Sequence, residues 1–187
     1  ERYPNKRNFW FEVETFNVHK DWVFELCDKL EAYNNTLATP LEFGTNYRVG
    51  GKTNYDRIFE AFARANITSI TVGFESGSER VRREVLKRNY SNAAMLEMVT
   101  SARKHGLHIG FQNMIGLPGE TEEDFMETVR MNQICQPDGY ALSIFYPYPG
   151  TNLYHVCEEM GLLEGPIDTR MERVIPVLEI PTFPTHR

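Results

Sequence analysis

His108-Ile109-Gly110-Phe111-Gln112-Asn113-Met114-Ile115, then Gly116-Leu117-Pro118-Gly119-Glu120-Thr121, then Glu122-Glu123-Asp124-Phe125, is the stretch on which the fold turns. The first eight residues read as a mostly apolar strand. Two glycines and a proline make a tight exit from it. Thr121 is placed as the N-cap of a helix, with Asp124 three residues on in the capping-box position. The result is a strand, a backbone-rich turn and a helix N-terminus whose free N–H groups are expected to point above the sheet.

The same construction recurs on both sides of that stretch. Strands are predicted at Asn8 to Glu14, Leu41 to Val49 (broken by Gly50-Gly51), Ser69 to Phe74 and Gly139 to Tyr146. Helical spacing follows each: Val23, Leu26, Cys27 and Leu30 after the first, and Ile58, Phe59 and Phe62 after the second, with Thr53 and Asp56 as its capping box. Ser76 and Glu79 cap a short helix through Leu86, and a second helix runs from Ser91 to Gly106. The last helix carries Leu153, Val156, Cys157 and Met160 and closes at Gly161. Residues 164–187, with Pro166, Pro176, Pro181 and Pro184, are expected to be an extended tail. Five near-continuous apolar strands, each followed by a helix, predict an α/β fold over residues 1–163 with one parallel sheet buried on both faces. Right-handed crossovers gather all five exit loops at one end, where α/β folds bind ligands. The strand at Asn8 should be an exposed edge, which recruits a tail, a neighbouring chain or a dimer contact.

The 187 residues carry a net charge of −6 with no basic run, so nucleic acid and anionic membranes are not expected as partners. No stretch approaches the ~20 apolar residues of a membrane span. The three cysteines, Cys27, Cys135 and Cys157, are widely spaced among apolar neighbours, which predicts buried reduced thiols and a cytoplasmic protein. The chain opens Glu1-Arg2-Tyr3-Pro4 without an initiator methionine, as an excised or processed piece would.

Glu75 closes an apolar strand. With Ser76 expected to cap the next helix, its carboxylate is left to face the cleft, where it can accept hydrogen bonds from two vicinal hydroxyls. Arg88 ends Glu79-Arg80-Val81-Arg82-Arg83-Glu84-Val85-Leu86-Lys87-Arg88. Arg80, Arg82 and Arg83 read as a solvated basic face, whereas Arg88 stands where the helix stops and its fork suits a carboxylate. Glu14 and Arg48, at earlier strand exits, are further candidates, each equally suited to a structural ion pair. The histidines are scattered singly, and none is assigned a metal.

Gly73 to Arg88 resembles the fourth strand and following helix of radical S-adenosylmethionine enzymes, most of all the group that often carries an N-terminal cobalamin-binding domain. Gly116 to Thr121 is similar to that family's fifth-strand exit, and Tyr146-Pro147-Tyr148-Pro149-Gly150-Thr151 to its sixth. The resemblance spans roughly Asn8 to Leu163. It implies a partial (β/α)6 TIM-like barrel, with strands two to six here and the first βα unit missing. It also implies S-adenosylmethionine bound against a [4Fe-4S] cluster that cleaves it to a 5′-deoxyadenosyl radical. By position, Glu75 and the adjoining Ser76 would meet the ribose and Arg88 the methionine carboxylate. Glu14 would meet the amino group, and Met114, Ile115 and Tyr146 would line the adenine.

The family's C-x3-C-x2-C cysteines are absent from this sequence. The resemblance therefore implies an enzyme fragment, inert alone, whose cluster ligands lie outside it. Cobalamin in the parent is left open, as are methyl transfer, ring closure and methylthiolation of an unknown small-molecule substrate. Two other readings compete: a barrel glycosidase pairing Glu14 with Glu75, and a non-catalytic α/β binding module.

Overall fold

The computed structural model describes residues 5–50, 53–163, 170, 172 and 175–184. Gly51, Pro166 and the opening Glu1 to Pro4 lie outside the described residues. In chain order the elements are β1 (Asn8–Phe11), α1 (Lys20–Asn34), β2 (Glu42–Tyr47), α2 (Tyr55–Arg64), β3 (Ile67–Glu75) and α3 (Glu79–Glu84). They continue with α4 (Asn92–Lys104), β4 (His108–Ile115), α5 (Glu122–Cys135), β5 (Gly139–Ile144) and α6 (Asn152–Glu159). The five strands form one parallel sheet in sequence order, β1-β2-β3-β4-β5, with a helix in every connection. The expected α/β barrel-type architecture is therefore present, and β1 is an edge strand.

Two compact units divide the chain. The first holds residues 1–73, 93–111 and 137–140; the second holds 74–92, 112–136 and 141–187. In the first, the apolar face of α2 buries Ile58, Phe59 and Phe62. Their rings pack with Tyr47 and Phe16, the Tyr47–Phe59 centroids lying 5.1 Å apart and Phe62 meeting Phe16 edge-on at 5.6 Å. Such tilted and edge contacts are the preferred aromatic geometries and add to simple burial. In the second, Val81, Leu117, Phe145, Cys157, Leu162, Leu178 and Ile180 form the core. Leu178 and Ile180 come from the Pro-containing segment at the chain's end.

Local hydrogen bonding moves several expected boundaries. β1 stops at Phe11 rather than Glu14 because the Asn46 side chain donates to the Val13 carbonyl and the Glu12 carboxylate. The Phe16 N–H goes to the Asn46 carbonyl, so loop pairing replaces the strand ladder. Asn54, not Thr53, caps α2, accepting from the Arg57 N–H. Asp56 is drawn instead to Ser101, Lys104 and His105. Likewise Ser78, not Ser76, caps α3 by accepting from the Val81 N–H, and the Glu79 carboxylate takes the Asn92 N–H. The Thr121–Asp124 capping box at α5 forms as expected, with N–H···O distances of 3.1 and 3.0 Å.

Candidate functional site

β3 ends in an unusual turn. Ser76 donates its N–H to the Phe74 carbonyl at 2.8 Å, and Glu75 between them has φ +64°. A three-residue turn of this hand is rare and strained for a residue with a side chain, and such strain concentrates where function demands it. The turn carries the Glu75 carboxylate to Arg88, whose Nη2 donates to Oε1 at 3.2 Å. Burial pushes the Glu75 pKa above its usual value, and the Arg88 guanidinium opposes that shift without cancelling it. Arg88 is delivered by a second positive φ, +54° at Lys87, just after α3.

The β4–α5 turn is held from within. Gly116 and Gly119 take positive φ values of +82° and +73°. Glu120, buried, accepts from the Gly116 and Leu117 N–H groups at 2.7 and 3.2 Å through Oε2, while Oε1 has no hydrogen-bond partner among the described residues. The Glu120 carboxylate thus occupies the N–H groups of the turn itself. Burial outweighs those two bonds and raises the Glu120 pKa to about 7.

Asp124 joins this turn to the previous one. It accepts from Ser78 Oγ at 2.6 Å, from Thr121, and from Arg80 in an ion pair. Burial works against its ionised form, but bonds from Arg80, Ser78 and Thr121 prevail and lower its pKa to about 2. Arg80 also donates to the Gly119 carbonyl at 2.9 Å. Gly77 lets the two segments meet: a Cβ there would lie 2.3 Å from the Glu127 carbonyl oxygen.

Above this scaffold lies a cavity of about 450 Å³, a volume suited to a small molecule. Glu75, Met114 and Tyr146 line it, together with Gln112, Asn113, Ser143, Ile144, Phe145, Tyr148, Thr151, Asn152 and Leu153. Arg88 joins through its bond to Glu75. Ile115 lines a second, apolar cavity of about 200 Å³ with Gly116, Phe145, Val177, Leu178 and Phe183. Ser76 is buried, and its Oγ accepts from the Ser78 N–H. Glu14 is exposed in the loop after β1, in the other compact unit.

Arg82 departs most from expectation. Read as part of a solvated basic face, it is 0% exposed. Arg80 is tied to Asp124, and only Arg83 of the three stays largely in solvent. Sequence reasoning missed the burial of Arg82 and Glu120 and the ties of Asp124, expected only as a cap, to Ser78 and Arg80. The Glu120 position in a Pro-Gly turn was the one signal that could have found its carboxylate.

The residues present fit a nucleoside-bearing ligand: an acceptor carboxylate, a guanidinium beside it, and apolar and aromatic walls around one cavity. They do not fit a metal cluster. All three cysteines are buried; burial raises the Cys27 pKa to about 12 and the Cys157 pKa to about 11. Among the described residues no group of three His, Cys, Asp or Glu side chains is placed to hold a metal, and no helix is long and apolar enough to cross a membrane.

Residues 1–131 match the family described as the Radical SAM superfamily. A tRNA-2-methylthio-N(6)-dimethylallyladenosine synthase of Thermus thermophilus is 32% identical over 128 residues, covering 66% of this chain and 26% of the relative. A protein of Pyrococcus horikoshii described as an uncharacterized methyltransferase is 25% identical over 173 residues, 92% of this chain and 36% of the relative. The chain thus spans only 26% and 36% of the length of these two relatives. Among solved structures, the radical S-adenosylmethionine methyltransferase TsrM from Kitasatospora setae, with cobalamin and a [4Fe-4S] cluster bound, superposes with a TM-score of 0.68 at 17% identity. It covers 86% of this chain and 32% of that one. Coproporphyrinogen III oxidase from Escherichia coli superposes at 0.66 with 13% identity, covering 90% and 37%.

Proposed function

Because the chain belongs to the radical S-adenosylmethionine superfamily, we propose that it supplies the S-adenosylmethionine-contacting strand exits of such an enzyme. The observation that carries this is one cavity bordered by Glu75, held in a strained turn and bonded to Arg88, with Met114 and Tyr146 beside it. Glu75 accepts from the two ribose hydroxyls. Arg88, bonded to Glu75, grips the methionine carboxylate with its planar fork. Met114 and Tyr146 flank the adenine, and Ser76 supports the Glu75 turn.

A [4Fe-4S] cluster held elsewhere in the whole protein would supply the electron for reductive cleavage of the sulfonium. None of the three buried cysteines here is placed to ligate it. For the whole protein we assign methyl transfer to a small-molecule substrate in the cytoplasm. The relative covering 92% of this chain is described as a methyltransferase. Cobalamin as the methyl carrier follows the structural neighbour TsrM. The family match, over residues 1–131, favours this reading over the glycosidase alternative.

Anaerobically prepared full-length protein, given S-adenosylmethionine and a reductant, is expected to release 5′-deoxyadenosine or S-adenosylhomocysteine, read by chromatography. Neither product, from protein with a full cluster, would overturn the assignment.

A further inference from the structure

Among the described residues, the buried Arg82 guanidinium has no carboxylate as a hydrogen-bond partner. Nη1 donates to the Ser76 carbonyl at 2.6 Å; Nη2 donates to Asn92 Oδ1 at 2.6 Å and the Tyr90 carbonyl at 3.4 Å. Its guanidinium carbon lies 4.6 Å from the Tyr90 ring centre and 5.4 Å from that of Phe74. Nε has no hydrogen-bond partner among the described residues. Removing a cation from water costs several kcal/mol, and an apolar side chain of similar volume would fill the same space more cheaply. A purely space-filling role therefore does not account for it.

What the cost secures is visible in the residues it touches. Ser76 adjoins Glu75; Tyr90 and Asn92 lie just beyond Arg88; and the Arg82 carbonyl itself accepts the Arg88 N–H at 2.8 Å. Tyr90, over which the guanidinium stacks, donates its hydroxyl to the Phe74 carbonyl at 3.0 Å, on the other side of Glu75. The Arg82 guanidinium thus ties Ser76, next to Glu75, to Tyr90 and Asn92, just beyond Arg88, while the Tyr90 hydroxyl and the Arg82 main-chain carbonyl fasten Phe74 and the Arg88 N–H.

We infer that Arg82 is a positioning residue, whose buried guanidinium holds the Glu75 carboxylate and the Arg88 fork at the spacing needed to engage ribose and methionine carboxylate together. This rests on the proposed S-adenosylmethionine site. Arg82 touches no ligand; it acts through Glu75 and Arg88.

The test uses full-length protein and calorimetry with two probes. 5′-Methylthioadenosine carries the ribose but no amino-acid end; S-adenosylhomocysteine carries both. Arg82→Met is expected to weaken 5′-methylthioadenosine about tenfold, the order of one charge-assisted bond, and S-adenosylhomocysteine by more, so that the preference for S-adenosylhomocysteine narrows. Arg82→Lys keeps the charge but cannot bridge Ser76 and Asn92 at once, so it should recover only part. Unchanged dissociation constants in Arg82→Met overturn the inference. So does a loss confined to the fraction of protein able to bind, which is what a merely structural role produces. If Arg82→Met does not fold, Arg82→Lys decides: wild-type affinities overturn the inference, and weakened ones at an unchanged melting temperature support it. Failure of the site itself looks different: wild type binds neither probe, or Glu75→Gln and Arg88→Ala bind as wild type does.

Discussion

Two carboxylates show what burial does at the scale of single residues. Glu120 has its folded pKa raised to about 7. An acid with a raised pKa holds its proton more tightly when folded, so its contribution favours the folded state below the unfolded pKa near 4.3. That contribution is lost as pH rises through about 7. Glu120→Gln keeps an oxygen for the Gly116 and Leu117 N–H groups and never ionises. It should therefore gain stability relative to wild type between pH 5 and pH 8, by as much as roughly 3 kcal/mol, read from urea unfolding at each pH. A constant difference across that range would contradict the burial argument. Glu75 belongs to the ligand instead. Its raised pKa means that ribose binding should strengthen as pH climbs through a range above that of an ordinary glutamate. Glu75→Gln should flatten that dependence, and Arg88→Ala should cost about tenfold to a hundredfold in S-adenosylhomocysteine affinity. Arg83→Ala, whose side chain is largely in solvent, should change neither. The sequence put Glu75 at a strand exit and Arg88 past a helix end, and the structure pairs them; the burial of Arg82 was not legible. Its neighbours in sequence are charged, and nothing local says that Ser76, Tyr90 and Asn92 converge on it.

At the scale of elements, periodicity carried most of the information. β4 spans His108–Ile115 as expected, and α5 opens with the expected capping box. Both signals are local, set by side chains within a few residues of each other. The expectations that failed, at Thr53, Ser76 and the end of β1, failed where a distant partner competes: Ser101 and Lys104 for Asp56, Asn92 for Glu79, Asn46 for the loop after Phe11. Such competition leaves no trace in a window of adjacent residues. Two substitutions separate these regimes. Thr121→Ala removes only the local cap and should cost about 1 kcal/mol in chemical denaturation. Gly77→Ala places a methyl against the α5 backbone at Glu127 and Thr128, forcing the β3–α3 loop away from α5. It should cost about 1–3 kcal/mol as overpacking does and, unlike the cap variant, should also weaken nucleoside binding.

For the whole molecule, the order of elements was enough to read a parallel sheet with a helix in every crossover. The division into two compact units was not readable, because β3, β4 and β5 each pass from one unit to the other with no break in composition. The cluster offers a test at this scale: anaerobic reconstitution of residues 1–187 should yield no stoichiometric iron and sulfide and no charge-transfer absorption. The buried thiols that motivate this expectation have a further use. Cys27 lies in the first unit, Cys135 and Cys157 in the second, and each is essentially sealed from solvent. A sealed thiol is alkylated only while its surroundings are transiently open, so its labelling rate measures the free energy of that opening. The protein thus carries its own set of chemical clocks. Mass-resolved alkylation of Cys27 against Cys157, with and without nucleoside, would time the breathing of each unit separately and show which of them a bound ligand slows.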